Sequence, residues 1–508
     1  MMSPGHGLMR ERELKLSVPD RFELPAMLLN TRLLAVEELP TLHLRATYHD
    51  TDDLRLARQG VTLRHRTGEE GGARWTLKLP RDSGGGSGIA DRDEMQFDAS
   101  SRTVPAEVRE MVTAYARSMP LRSVATLKAV RRRWLLSDDG ADLAELADDS
   151  VSVLEGRRIV ARFRELEIEA RRPDTDLRGL AAQLVAVGAA IAEPIPKVVR
   201  ALGSRATQAP EVAMPGLDSQ STGHDLVATV ISDAVLRMMR NDPLARMGDE
   251  EGIHQLRVAT RRLRSDLRTL GALLAPEWRA DVEPRLSALA DRLGAVRDLD
   301  VLSSRLNADA GELRDDLRPL WKAFRSRRSR VMALLAGSLR DSSYVELLEI
   351  LVEAAQRPPV TPDAATPAAP LAAEVGAGAW RRLERRAIDL DANAPDEAFH
   401  VTRIRAKRAR YAAEAAARAL PDKRAAAARR FAARIADLQD LLGGLQDSSV
   451  AIAELRAAAE RRAANIPFAL AVGRLIERQG RGADVARAGF AAVWKDLRRR
   501  RRRRWMVV

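Results

Sequence analysis

The stretch HQLRVATRRLRSDLR, residues 254–268, places a row of basic and imidazole side chains along one side of a predicted helix. Successive helical residues rotate by about 100° around the helix axis. One narrow stripe therefore carries His254, Arg257, Arg261, Arg264 and Arg268. Cations on consecutive turns repel one another, so the pattern favours a surface that binds an anion. The alternative is a solvated charged face, which is what most charge runs are.

The same stripe occurs a second time. In FHVTRIRAKRAR, residues 399–410, the matching places hold His400, Arg403, Lys407 and Arg410. Each copy is followed by another shared phrase, LGAVRDLDV from Leu293 and LGGLQDSSV from Leu442. Repetition of a whole pattern indicates a duplicated structural unit. We predict that the two basic helices form two walls of one anion site.

The duplicated pattern H-x-x-R-V/I-x-x-R/K-R-x-R, in an all-helical half, resembles the CHAD family, named for its histidine-bearing α-helical domain. The resemblance implies a pair of four-helix bundles that bind inorganic polyphosphate along a basic groove. The polyphosphate-binding residues that it implies are His254, Arg257, Arg261, Arg262, Arg264, Arg268, His400, Arg403, Lys407, Arg408 and Arg410. As an alternative, the two histidines could be core residues that only satisfy a local hydrogen bond.

Composition narrows the classes of partner and of metal site. The formal net charge of +13 favours a polyanion, which could be nucleic acid, polyphosphate or an anionic membrane surface. The stripe contains no aromatic residue for base stacking, which disfavours single-stranded nucleic acid. Because cysteine is absent, disulfides and thiolate metal sites are excluded. No signal peptide and no transmembrane run is predicted, so we expect a cytoplasmic protein, with polyphosphate granules as one place of association.

The N-terminal third has the short alternating segments and turn signals of β-structure. Eight strands are predicted, at residues 8–17, 42–49, 61–66, 74–79, 89–97, 124–136, 141–153 and 163–170. Short helices are predicted at residues 20–30, 105–118 and 174–187.

Four of these strands carry charges at alternate positions, which share one face of a strand. The sets are Glu11, Glu13 and Lys15; Arg64 and Arg66; Arg131 and Arg133; and Glu165, Glu167 and Glu169. In any single strand such a row would face water. Four rows with both signs instead suggest a sheet closed into a barrel, with a polar lumen. Carboxylates in that lumen would bind hard divalent cations, and the arginines and lysines would bind phosphoryl oxygens.

These strands resemble the CYTH family, also called triphosphate tunnel metalloenzymes. The family signature E-x-E-x-K is present as Glu11 to Lys15. The resemblance continues in order through YHDTDDLRL from Tyr48, LRHR from Leu63, WTLKLP from Trp75, RDE from Arg92 and ELEIEA from Glu165. Gln96 departs from the family pattern, which often has an acidic residue there. A neutral amide at this place could weaken one metal contact or alter substrate preference.

The CYTH resemblance implies metal-dependent hydrolysis of inorganic triphosphate, or of a related triphosphate, with Mg²⁺ or Mn²⁺. The implied metal ligands are Glu11, Glu13, Asp149, Glu167 and Glu169. Glu145 is included because it lies four residues from Asp149 and therefore on the same face of the strand. The implied substrate-binding residues are Lys15, Arg64, Arg66, Lys78, Arg92, Arg131, Arg133 and Lys197. Of these two sets, Glu11, Glu13, Lys15 and Lys78 are the predicted catalytic group. The alternatives are a non-catalytic polyphosphate-binding protein and, with less support, an adenylyl cyclase or a thiamine triphosphatase.

We therefore predict an α+β multidomain chain, with a closed antiparallel β-barrel and peripheral helices before an all-α domain of two repeated four-helix bundles. The predicted boundaries are 1–203 for the barrel, 204–223 for a linker, 224–356 for the first helical repeat, 357–378 for a second linker and 379–508 for the second repeat. Breaks between helices are predicted near 298, 443–446 and 480–482. The arginine run at 498–504 is predicted to be a frayed, solvated tail. The sequence leaves the oligomeric state open.

Overall fold

The structure, a computed structural model, describes residues 8–19, 21–23, 35–69, 72–81, 88–98, 101–462 and 465–507. The helix predicted at 20–30 falls, apart from residues 21–23, outside these ranges. The chain divides into two compact units, Met1–Glu211 and Val212–Val508. None of the helices in the described ranges is long and apolar enough to cross a membrane.

A closed antiparallel barrel forms the first unit, as predicted. Its described strands are β1 (Leu8–Ser17), β2 (Ala35–Asp50), β3 (Thr62–Thr67), β4 (Arg74–Pro80), β5 (Ile89–Asp98), β6 (Arg122–Asp138), β7 (Ala141–Glu155), β8 (Arg158–Ala170) and the short β9 (Ala190–Ile191). The hydrogen-bonded order is β5-β4-β3-β2-β6-β7-β8-β1, and the pairing of β1 with β5 closes the circle. All eight predicted strands are present, most of them longer than predicted.

Charged and apolar side chains alternate along β1, so that one face of the strand lines the lumen and the other packs into an apolar core outside the barrel. Leu14 and Leu16 are fully buried with Ile168, on the side away from the charged row. Helix α4 (Leu177–Val185) contributes Leu177 to this core. Both faces of the strand are therefore buried, and a shift of one residue in register would exchange charged and apolar side chains.

The other barrel helices are short: α1 (Arg55–Arg58), α2 (Ala106–Met111), α3 (Thr113–Ala116) and α5 (Lys197–Leu202). The single helix predicted at 105–118 is divided at Val112. Helix α5 packs Val198 and Val199 into a second apolar cluster on the barrel, which fixes the position of Lys197 at its first turn.

The second unit is helical. Its helices are α6 (Gly223–Met247), α7 (Glu250–Thr269), α8 (Pro276–Ala310), α9 (Arg318–Arg340), α10 (Ser342–Gln356), α11 (Ala368–Ala387), α12 (Asp396–Ala419), α13 (Asp422–Glu460) and α14 (Ile466–Leu497). Helices α6 to α10 pack in one group and α11 to α14 in a second, and α7 lies against α12 between them. A capping box of Thr222 and Asp225 begins α6, and Asp249 caps α7 by accepting a hydrogen bond from the Gly252 amide.

The three predicted helix breaks were wrong, because α8, α13 and α14 are continuous. Two of these breaks were predicted at glycines, at 443–446 and 480–482. Glycine inside a helix costs only about 1 kcal/mol relative to alanine, and tertiary packing outweighs that cost. The segment predicted as a linker at 357–378 is also already helical from Ala368.

The arginine run at the C-terminus is docked rather than frayed, which corrects the prediction. Residues Arg500–Met506 form a 3₁₀ helix, and Trp505 is only 1% exposed. The Trp505 ring lies 5.7 Å from that of Phe431, measured between centroids. Arg424 Nη2 donates to the carbonyl oxygens of Trp505 and Val507 at 2.8 and 2.7 Å. The buried tryptophan supplies apolar contact that the arginine run alone does not indicate.

The substitution Gly376→Ala should undock this C-terminal turn, because an added Cβ would overlap the Trp505 ring. We expect a loss of about 1–3 kcal/mol in the free energy of unfolding, together with greater quenching of tryptophan fluorescence by an aqueous quencher. Gly337→Ala is the matched control, since nothing lies within 4 Å of the Cβ that it adds to helix α9. Equal urea midpoints and equal quenching for the two variants would contradict the prediction.

Candidate functional site

The barrel contains a cavity of about 610 Å³ whose wall is mostly charged. Every barrel residue predicted for the site lines this cavity except Asp149. The predicted residues in the wall are Glu11, Glu13, Lys15, Arg64, Arg66, Lys78, Arg92, Arg131, Arg133, Glu145, Glu167, Glu169 and Lys197. In the described wall, eleven cationic side chains face seven carboxylates, so the cavity has an excess of positive charge.

Two lysines share one pair of carboxylates in this cavity. Lys15 Nζ lies 2.6 Å from Glu165 Oε1 and 2.5 Å from Glu167 Oε1. Lys197 Nζ approaches the same two oxygens at 2.9 and 2.5 Å. Burial alone would lower the pKa of both lysines, but these carboxylates raise it. Both ammonium groups therefore stay charged although they are buried.

Asp149 supports a cation instead of lining the cavity. Its two carboxylate oxygens accept from Arg131 Nε at 2.8 Å and from Arg131 Nη2 at 2.6 Å, and its exposed fraction is 1%. The same Nη2 donates to Glu167 Oε2 at 2.9 Å. This bidentate pair fixes the plane of the guanidinium. Arg131 therefore engages both oxygens of Asp149, which the sequence predicted as a metal ligand.

A second cluster surrounds Lys78. Its Nζ forms ion pairs with Glu11 and, at 3.0 Å, with Glu94. Gln96, which departs from the family pattern, accepts from Arg74 at 2.8 Å and donates to Glu94 at 2.6 Å. Burial alone would raise the pKa of Glu94, but Lys78 and Arg64 lower it to about 2. The amide therefore connects a cation to a carboxylate, a role that a second acidic residue could not fill in the same way.

The remaining predicted residues occupy other parts of the wall. Arg92 Nη1 lies 3.3 Å from Glu13 Oε1. Arg133 donates to the carbonyl oxygen of Pro40 at 3.2 Å. Glu145 is held by Arg171, which the sequence prediction did not include.

Sequence reasoning also missed several other wall residues, namely Tyr48, Thr62, Glu69, Arg74 and Glu94. The alternation of side chains along a strand could have identified Glu94, because it lies two residues from Arg92 and so on the same face. Tyr48 is paired in register with Arg64. Burial alone would raise the pKa of Tyr48, but Arg64 lowers it through its charge and a hydrogen bond. Arg66 forms an ion pair with Glu69.

One side of the cavity has carboxylates in excess and suits a hard divalent cation. Burial and the nearby charge of Glu11 raise the pKa of Glu169 to about 7. Glu11 Oε2 is buried and accepts no hydrogen bond from the described residues. Among the described residues, no three carboxylate or imidazole groups already surround a common point. The oxygen donors are therefore of the right chemical type, while many of them are engaged by the cavity lysines and arginines.

In the helical unit, the two basic stripes meet where α7 packs against α12. Arg257, Arg261 and Arg403 lie close enough to lower the pKa of Lys407 to about 7, an effect that adds to that of burial. Arg261 Nη2 donates to the Tyr411 hydroxyl at 3.0 Å. We call Arg257, Arg261, Arg403 and Lys407 the basic cluster.

The second repeated phrase explains how the basic cluster is held. A Cβ on Gly294 would lie 3.5 Å from Arg257 Nε, and one on Gly443 would lie 3.7 Å from Arg403 Nη2. Each guanidinium therefore lies over the equivalent glycine of the following long helix. Arg257 also forms a 2.8 Å ion pair with Asp298. The two phrases form equivalent contacts in the two repeats.

The other predicted residues of the stripes are arranged differently. His400 Nδ1 lies 2.8 Å from Gln446 Oε1, while His254 Nδ1 is buried and has no hydrogen-bond partner in the described part of the chain. Arg262 and Arg410 both reach Glu414, at 2.9 and 2.8 Å. Of the last three, Arg264 donates to Ser287, Arg268 is exposed near Glu283, and Arg408 lies near Arg268 and Arg382.

Comparison with known proteins agrees with this division of the chain. A model of the CYTH domain matches residues 9–187, and a model of the CHAD domain matches residues 229–456. An uncharacterized protein of Mycobacterium tuberculosis is 31% identical over an alignment of 451 residues, with 82% of this chain and 82% of that protein covered.

Two solved structures also resemble part of the chain. The CHAD domain from the plant Ricinus communis is 25% identical, with a TM-score of 0.44, over 55% of this chain and 96% of that one. PptA from Streptomyces chartreusis is 23% identical, with a TM-score of 0.45, over 54% of this chain and 99% of that one. The two family matches and the M. tuberculosis relative show that the chain belongs to the proteins in which a CYTH domain is followed by a CHAD domain.

Proposed function

We propose that the barrel hydrolyses inorganic triphosphate, or a related triphosphate, and that the helical unit binds inorganic polyphosphate. CYTH domains are typically those of triphosphatases or cyclases and are generally metal-dependent. The observation that carries the proposal is the cavity in the barrel, whose described wall carries eleven cationic side chains and seven carboxylates. Arginine and lysine at such positions bind phosphoryl oxygens strongly, because little water competes for them.

The wall of the cavity favours an inorganic triphosphate over a nucleotide. Of the described residues in the wall, Tyr48 is the only aromatic one, and it is 5% exposed. Its hydroxyl is engaged with Arg64. The described wall thus offers no exposed ring on which a base could stack.

The arrangement assigns a part to each group of residues. Lys15 and Lys197 would hold phosphoryl oxygens on one side, with Arg131 oriented beside them by Asp149. Arg64 and Lys78 would hold oxygens on the other side. These charges are in place before the substrate arrives, so they can stabilise the charge that develops on the phosphoryl oxygens. No serine or cysteine nucleophile is required.

Carboxylates in the wall of the cavity would hold the metal, which we propose to be Mg²⁺ or Mn²⁺. These are Glu11, Glu13 and Glu169, with Glu94, Glu145 and Glu167 as further oxygen donors. Such a cation would neutralise charge on the phosphoryl oxygens and activate water when bound.

The direct test is to incubate the full chain with inorganic triphosphate and Mg²⁺ or Mn²⁺, and to measure phosphate release. We expect metal-dependent turnover, and a loss of about 10²-fold or more in the variant Glu11→Gln/Glu13→Gln. Glu155→Gln, at an exposed position on β7, is the matched control. The proposal fails if turnover of inorganic triphosphate, ATP and thiamine triphosphate never exceeds that of the double variant.

A second candidate is a protein that binds polyphosphate in both units without hydrolysing it. The neutral Gln96 in the wall, bonded to Arg74 and Glu94, favours this reading. Metal-stimulated binding without phosphate release would support it, and rapid turnover would exclude it.

For the helical unit, the basic cluster supports polyphosphate as the ligand. Guanidinium groups from two helices lie close together, which suits a flexible chain that carries a charge on every phosphoryl unit. Binding should weaken steeply as salt rises, because bound counterions are released.

Polyphosphate binding should also weaken as the pH rises from 6 to 8. Lys407, whose pKa is lowered to about 7 by burial and by Arg403, Arg261 and Arg257, is protonated below that pH and neutral above it. A polyanion binds the protonated form more tightly, so affinity should fall as the proton is lost. Titrations with long-chain polyphosphate at each pH would measure the effect. Lys407→Arg keeps its charge over this range and should flatten the profile; an unchanged profile in that variant would contradict the prediction.

A further inference from the structure

Helix α11 carries four arginines on the surface of the helical unit: Arg381, Arg382, Arg385 and Arg386. All four are exposed, and none of them forms an ion pair or side-chain hydrogen bond with the described residues. Exposed arginines without a carboxylate partner also occur elsewhere in the described part of this unit, for example Arg314 and Arg330, but the four of α11 lie within one stretch of six residues.

Four more exposed arginines lie at the C-terminus: Arg498, which caps the end of α14, and Arg500, Arg501 and Arg504 of the docked turn. In a 3₁₀ helix residues three apart share a face. Trp505 and the half-buried Arg502 face the protein, while Arg501 and Arg504 face outward. Within the described chain these four side chains also have no ion-pair partner. We call the eight arginines of α11 and the C-terminus the arginine track.

The two parts of the track are joined by direct contacts. Trp505 packs against Gly376 of α11. The Arg503 guanidinium lies 5.1 Å from the centre of the Trp380 ring and 3.5 Å from Glu384 Oε1. The turn is therefore held rigidly beside the helix, and the arginines of the helix and of the turn lie close together. A ligand that binds them does not have to order a mobile tail.

The track also adjoins the stripes of the repeats. Burial and three neighbouring cations, Arg405, Arg268 and Arg382, lower the pKa of Arg408. Arg268 belongs to α7, Arg405 to α12 and Arg382 to the track. Positively charged side chains thus extend from α7 and α12 onto α11. Unpaired charge of one sign destabilises a compact unit through repulsion, and a bound anion would relieve that repulsion.

We propose that the arginine track is a second polyanion-binding surface, which holds the part of a long condensed-phosphate chain that extends beyond the basic cluster. This inference rests on the proposed binding of polyphosphate. The rigid docking of the turn reduces the conformational entropy that binding would otherwise remove. Trp380, Trp494 and Trp505 are all buried, so none can stack on a base, which favours inorganic polyphosphate over single-stranded nucleic acid.

The test compares long and short chains on the full-length protein. The probes are end-labelled polyphosphate of several tens of units and a chain of a few units, in buffer with EDTA to prevent metal-dependent hydrolysis. One variant carries Arg381→Gln, Arg382→Gln, Arg385→Gln and Arg386→Gln. A second carries Arg498→Gln, Arg500→Gln, Arg501→Gln and Arg504→Gln. The control changes four exposed cations elsewhere to Gln, namely Arg314, Lys322, Arg325 and Arg330, which removes the same charge.

Each track variant should bind the long chain at least tenfold more weakly than the wild type, and the short chain with unchanged affinity. The slope of log K against log salt for the long chain should fall by about 3, since four phosphate contacts each contribute roughly 0.7. The control variant should keep the wild-type slope.

Equal effects of the track and control variants, or no effect of either track variant, would overturn the inference while leaving polyphosphate binding by the basic cluster intact. If the wild type binds neither the long nor the short chain, the proposed binding of polyphosphate is rejected, and the inference about the arginine track is rejected with it. Duplex DNA that displaces the long chain at equal phosphate concentration would overturn inorganic polyphosphate as the specific ligand of the track.

Discussion

The variant Lys15→Met is expected to unfold the barrel more easily, with a loss of about 3–5 kcal/mol at pH 7. For a unit of this size that corresponds to a drop in melting temperature of roughly 6–20 °C. The side chain is 3% exposed and its ammonium group contacts both Glu165 and Glu167. Removing it leaves two buried carboxylates that share only Lys197 as their lysine partner. Uncompensated buried charge is among the most destabilising changes a protein can undergo.

The pH dependence of this loss distinguishes the charge effect from a packing effect. Burial alone would raise the pKa of Glu167, but Lys15, Lys197 and Arg131 hold it well below its usual value. A carboxyl group of this kind contributes stability above its unfolded pKa of about 4.3, and that stability is lost as the pH falls through the folded value. The difference between wild type and Lys15→Met should therefore be largest above about pH 5 and narrow under more acidic conditions.

Thermal unfolding of the full chain between pH 4 and pH 8 would measure both effects. Lys128→Met is the matched control, because Lys128 is exposed on β6 and has no ion-pair partner among the described residues. That control should leave the melting temperature nearly unchanged. A loss for Lys15→Met that is the same at every pH would show that the ammonium charge is not what stabilises the cavity.

The variant Arg257→Gln/Arg403→Gln is expected to bind polyphosphate about 10² to 10⁴ times more weakly than the wild type. The two arginines occupy equivalent places in the repeats, and each guanidinium lies over the glycine of the second shared phrase. Hydrogen bonds to charged groups contribute roughly 1.5–3 kcal/mol each, so the loss of two should amount to about 3–6 kcal/mol.

Polyphosphate titration at fixed salt would measure this change, with circular dichroism to confirm that the helices remain folded. Arg314→Gln/Arg330→Gln removes the same charge from exposed positions elsewhere in the helical unit. An affinity for the Arg257→Gln/Arg403→Gln variant within a few-fold of that control would place the binding site outside the basic cluster.

The barrel and its charged interior could be predicted from the sequence because strand geometry is local. Residues two apart share a face, so the charges of β1, β3, β6 and β8 had to lie on one side of each strand. The order of the CYTH motifs then indicated closure into a barrel. The prediction did not reach the pairings across the lumen, such as Lys15 with Glu165, because these depend on the register of strands far apart in the chain.

The helical unit shows the same limit. The duplicated stripe predicted two basic helices that face one site, and α7 does pack against α12. Gly443 and Gly444 of the second shared phrase were interpreted as a break between helices, because glycine is unfavourable in an isolated helix. In the folded unit Gly443 lies inside α13 beside Arg403, and the equivalent Gly294 lies inside α8 beside Arg257.

The sequence by itself determined the two domains, their fold classes and the residue types of the cavity, because periodicity and motif order are properties of neighbouring residues along the chain. Only the tertiary structure decided which charges pair, that Asp149 is committed to Arg131, and that the C-terminal arginines are held against the protein by Trp505. Those outcomes depend on contacts between residues widely separated in the chain, whose burial and ion pairing arise only when the whole unit has folded.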